Sequence, residues 1–145
     1  MIMILPIFPV LIRAVYTDIK KGIIENRLLI SALIIGAVLR VWLNGLMGFV
    51  FGLKMSVAMV AILFPLFLIK GIGAGDIKLL GVIALYMPDR IFYITAAAFI
   101  LAGIWSVGRM IIRKVSGKKL WIRNETLHFS IPIAAGTLLA GGFIR

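Results

Sequence analysis

The residues of this 145-residue chain best suited to acid–base or metal chemistry are few: five Asp and Glu, one His and no Cys. Thiolate nucleophiles, disulfides and zinc–thiolate sites are therefore excluded. A single histidine, His128, builds no histidine-rich metal site, and its place before the last apolar run reads as interfacial packing. Three of the carboxylates have ordinary structural readings. Asp89 pairs with Arg90 in a turn, Glu125 sits in a basic loop, and Glu25 precedes Asn26, read as a helix N-cap, where negative charge suits the helix dipole. Asp18 and Asp76 remain.

Asp18 closes one apolar run, and Asp76 opens another directly after the turn Gly71-Ile72-Gly73-Ala74-Gly75. Two carboxyls facing one wet pocket can share a proton. One then acts as general base on a water while the other donates to a scissile carbonyl oxygen. Close like charges do not both ionise readily, so such a pair titrates as a unit. Gly73 and Gly75 suit this chemistry, because backbone without side chains lets an extended substrate approach. Taken singly, the features have plainer readings: Asp18 as a solvated interfacial residue, the glycines as a tight turn. Their coincidence points to function.

The elements that must position them are apolar helices. The chain is 63% hydrophobic with a mean hydropathy of +1.16, too apolar for a soluble domain. Six runs, at 2–17, 28–43, 46–69, 77–87, 91–107 and 127–143, approach the length of membrane spans. Asn44-Gly45 and Pro88-Asp89 are turn dipeptides between them. The expectation is an all-α, polytopic membrane protein, one domain over residues 1–145, with about six transmembrane helices. The first run has no basic segment ahead of it and contains Pro6 and Pro9, which reads as a retained helix rather than a signal peptide.

The net charge of +11 is read as attraction to anionic lipid, with no nucleic-acid partner. Most Lys and Arg fall in alternate loops, among them Lys20, Lys21, Lys70, Lys78, Lys118 and Lys119. The positive-inside rule makes that side cytoplasmic, with both termini outside and both aspartates at the cytoplasmic edge of the cell membrane. The basic stretch 111–126 reads as a segment on the membrane surface. The run 77–87 covers only about 16 Å against an apolar core of about 30 Å. Asp76 should therefore lie below the surface, where a carboxylate is costly and by default functional.

At these residues the chain resembles a known family. Gly73-Ala74-Gly75-Asp76 matches the GxGD motif of intramembrane aspartyl proteases, and its extension through Ile77-Lys78-Leu79 is similar to the type IV prepilin and preflagellin peptidases. Asp18-Ile19-Lys20 with Ile24-Glu25-Asn26 resembles that family's first-aspartate motif, with Glu25 where many members have Pro. Ile131-Pro132-Ile133-Ala134 is similar to an element of its last helix. The resemblance implies Asp18 and Asp76 as catalytic pair and Gly73 and Gly75 as the loop admitting substrate. It implies no cofactor or metal, and as substrates type IV pilin-like precursors whose short basic leader is cut at the cytoplasmic face. No counterpart of the cysteine-bearing methyltransferase region is present, so a stand-alone peptidase is expected. Lys20 and Lys78 then orient the loops or bind lipid phosphate. Two rival readings are a small transporter or proton pathway using paired membrane carboxylates, and a non-catalytic assembly protein.

Overall fold

A computed structural model describes residues 4–115 and 129–142, and every regular element in them is helical. The helices are α1 (Ile4–Lys21), α2 (Asn26–Leu68), α3 (Ala74–Tyr86), α4 (Ile91–Val115) and α5 (Ser130–Gly142). The basic stretch expected on the membrane surface, together with Trp121, Glu125 and His128, lies outside the described residues except for its first few positions.

The expected second and third spans run together as α2, whose 43 residues would measure about 65 Å if straight. They do not stay in line. Gly45, the turn residue picked out by sequence, breaks the helix with φ 67° and ψ −175°, a backbone conformation that residues with a side chain rarely adopt. The halves then fold back along α3. Tyr86 of α3 donates its hydroxyl to Ala32 O in the first half, at 2.7 Å. In the second half, Gly81 of α3 lies against Ser56 and Val60. At the far end of α2, Lys70 takes a left-handed φ of 59° and the amide of Gly71 bonds Leu66 O, stopping the helix before the glycine turn.

α3 is the centre of the molecule. From Asp76 to Tyr86 every residue but Lys78 is buried, as befits a helix apolar on all sides. α5 packs on α4 and α1. In α1, the buried residues Ile7, Leu11, Ala14 and Asp18 recur at helical spacing, so Asp18 lies on the inward stripe.

The outer surface is the reverse. Trp42, Met47, Phe92 and Ile104 are among many large apolar residues left exposed, far more than a soluble monomer shows. Among the described residues, two helices, Asn26–Leu68 and Ile91–Ile111, are long and apolar enough to cross a membrane.

Close packing around Tyr86 yields a stability prediction. A Cβ at Gly36 would stand 2.5 Å from Cε2 of the fully buried Tyr86 ring, whose hydroxyl is already fixed to Ala32. Gly36→Ala is expected to destabilise by about 1–3 kcal/mol. Thermal unfolding in detergent checks this, and an unchanged Tm would show that the ring has room to move.

Candidate active site

The site is made where three chain segments meet. α1 delivers Asp18 in its last turn, since the helix continues through Lys21 rather than ending at Asp18 as expected from sequence. The loop after it, residues 22–25, turns toward α3. Asp76 sits in the first turn of α3, where Gly73 occupies the N-cap position and its carbonyl accepts from the amides of Asp76 and Ile77.

Asp18 and Asp76 line one cavity of about 360 Å³, together with Ile24, Gly73, Gly75 and Lys78. Both carboxylates are nearly withdrawn from the surface, at 8% and 9% exposure. Most of the chain between them is the α2 hairpin, which returns to the end from which it left.

Each of the two glycines makes room for a neighbouring group. A Cβ at Gly73 would stand 2.9 Å from Asp76 Oδ2, so the space beside Gly73 is where the carboxylate rests. A Cβ at Gly75 would stand 3.2 Å from Cβ of buried Ile24, so Gly75 lets the loop after Asp18 pack onto the turn before Asp76. A second bridge joins the same segments: Lys78 Nζ donates to Asn26 Oδ1 at 3.1 Å. Sequence pointed to Asn26 as N-cap of the second helix. Glu25 holds that position without a side-chain cap bond, and the Asn26 carbonyl oxygen is engaged by Lys78.

The other groups around the loops are more exposed. Lys20 turns back along α1, donating to the Tyr16 hydroxyl at 2.7 Å. Glu25 pairs with Lys21 at 2.6 Å, and that hydrogen-bonded cation holds its carboxyl below the usual range. The residue that sequence reasoning missed is Ser130. Completely buried at the start of α5, it donates its hydroxyl to Asp18 Oδ2 at 2.6 Å across 112 positions of chain. Among the described residues no group of three or more His, Cys, Asp or Glu gathers as a metal site would need.

Fold and site together define a helical membrane protein that brings two buried carboxyls to one cavity beside a glycine turn. Residues 5–107 match the sequence profile of the type IV leader peptidase family, a stretch that includes both aspartates and the glycine turn and ends before α5. The chain belongs to that family, and so is a protease of the leader-peptidase kind. No curated protein and no solved structure matches it.

Proposed function

We propose that the chain is an aspartyl endopeptidase in which Asp18 and Asp76 act as one dyad, removing the short basic leader of type IV pilin-like precursors. The carrying observation is their joint placement, nearly buried, in a single cavity. One carboxylate takes a proton from the attacking water, and the other, protonated, hydrogen-bonds the scissile carbonyl and gives up its proton as the tetrahedral intermediate forms. Burial strengthens both interactions by excluding bulk water. Gly73 and Gly75 border the path of the substrate backbone.

The reading extends to topology. Divided at Gly45, the described helices supply six segments, read here as six spans with the dyad at the cytoplasmic edge, where basic residues cluster. A second cavity of about 380 Å³, walled by Leu29, Leu33, Val60 and Val82, adjoins the first across the Lys78–Asn26 bond. It receives apolar side chains beyond the cut.

The test is cleavage of a pilin-like precursor in liposomes by wild type and by variants with Asn at either aspartate. A product from wild type alone supports the dyad. A transporter would instead show proton-coupled flux lost in Asp18→Asn, without any peptide product.

Gly73 gives a finer check. Gly73→Ala forces the Asp76 carboxylate out of its resting place, and displacement of a reacting group by about 1 Å costs on the order of 100-fold. Steady-state kinetics should show that loss in kcat with the fold intact. Wild-type kcat in Gly73→Ala would mean that the carboxylate position seen beside Gly73 is not the working one.

A further inference from the structure

We infer that Ser130 is the positioning residue of Asp18, which makes α5 a working part of the proteolytic site. The inference rests on the dyad reading above, but on an observation of its own: the bond from Ser130 Oγ to Asp18 Oδ2.

Three features distinguish this bond from incidental packing. Ser130 has no solvent exposure, so its hydroxyl has no water competing for it. A serine hydroxyl carries one hydrogen, and here that hydrogen is directed at Asp18 rather than at a backbone carbonyl of its own helix. The 2.6 Å length falls in the range of hydroxyl-to-carboxylate bonds, which are shorter and stronger than those between neutral groups.

An aspartate side chain turns about two torsions. Holding one carboxylate oxygen of Asp18 from α5 narrows that range and favours the orientation in which Asp18 lines the cavity shared with Asp76. Ser130 itself does not line that cavity. It stands behind Asp18, acts through it, and touches no substrate. The anchor is well held, because α5 meets α4 backbone to backbone: a Cβ at Gly136 would stand 2.9 Å from Ile94 O and 3.0 Å from Ala98 N. Ser130 also falls outside the stretch that matches the family profile, which ends at residue 107.

The test compares wild type, Ser130→Ala, Ser130→Thr and Asp18→Asn on a synthetic precursor with a basic leader and an apolar helix, reconstituted in liposomes. Ser130→Ala is expected to lower kcat by about tenfold or more, the worth of a hydrogen bond to a charged group, with KM unchanged. Ser130→Thr keeps the hydroxyl and should recover most of the rate. Assays are run well below the Tm of each variant, so that a loss of stability alone leaves kcat unmoved. Wild-type kcat in Ser130→Ala, or Thr as impaired as Ala, would overturn the inference, and so would a loss confined to KM. If Ser130→Ala does not fold, the recovery or failure of Ser130→Thr still decides. Full cleavage by Asp18→Asn would overturn the dyad itself, whereas an inactive Asp18→Asn beside a fully active Ser130→Ala would remove only the role given to Ser130.

Discussion

Asp18→Asn and Asp76→Asn are each expected to lower the rate of precursor cleavage by about a thousandfold or more, while leaving the protein folded. A positioned general acid or base contributes about 10²–10⁴-fold. In a dyad each carboxyl depends on the other for the shared proton, so neither half works alone. For the same reason the double variant should be little worse than either single one, because groups acting as a unit are not additive. Asn is nearly isosteric with Asp, and the amide oxygen that Asp18→Asn introduces can still accept from Ser130, so the packing at 8% exposure is preserved. Cleavage followed by gel shift or mass spectrometry, with unfolding curves in the same detergent, separates lost chemistry from lost fold. Loss at Asp76 with retention at Asp18 would reduce the site to one carboxylate and end the dyad reading. Additive losses in the double variant would mean that the two act in separate steps.

The aspartates were legible in sequence because charge is scarce in such an apolar chain. With five acidic residues, each has to be accounted for, and Asp18 and Asp76 resist an ordinary explanation. Turns were legible for the same kind of reason: Gly45 and Pro88 restrict or free the backbone locally, whatever packs around them. What sequence left hidden depends on distance. Ser130 reads as a small polar residue at the head of an apolar run, and nothing in its neighbourhood tells that it reaches Asp18 across 112 positions. The tasks of Gly73 and Gly75 were hidden too, since which atoms lie beside a missing side chain is decided by tertiary packing. Asn26 has the residue type of an N-cap, yet the side chain of Lys78, from another helix, takes its oxygen. Local preference lost to a contact 52 residues away.

Arg40 is the strongest such case, and its replacement should cost more stability than any other single change considered. It lies inside the apolar run 28–43. Its guanidinium is buried, at 8% exposure. Nε donates to Leu85 O at 3.0 Å, one terminal nitrogen to Tyr86 O at 3.3 Å, and the other to Asn44 Oδ1 at 3.2 Å. Leu85 and Tyr86 are the last residues of α3, so their carbonyls have no partner within the helix. In an apolar setting each such carbonyl must be satisfied by another group. Arg40→Met fills similar volume but leaves two buried carbonyls unpaired, at about 1–3 kcal/mol apiece, while the oxygen of exposed Asn44 loses little, so a loss of roughly 2–6 kcal/mol is expected. Arg40→Lys should recover only part, because an ammonium lacks the planar fork that spans two carbonyls. The second half of the hairpin meets the same point: a Cβ at Gly52 would stand 2.9 Å from Leu85 O and 3.6 Å from Arg40 Nε. Gly52→Ala should thus loosen the same joint, and combined with Arg40→Met should cost less than the sum of the two. Chemical unfolding in detergent reads these differences. A stability of Arg40→Met within about 0.5 kcal/mol of wild type, the scatter of ordinary surface substitutions, would show that the α3 carbonyls find other donors. Asp76 lies at the opposite end of α3, about 15 Å from this joint at 1.5 Å per residue. Cleavage well below the transition should accordingly fall far less in Arg40→Met than in either aspartate variant, because the clamp holds the helix in place without taking part in the chemistry.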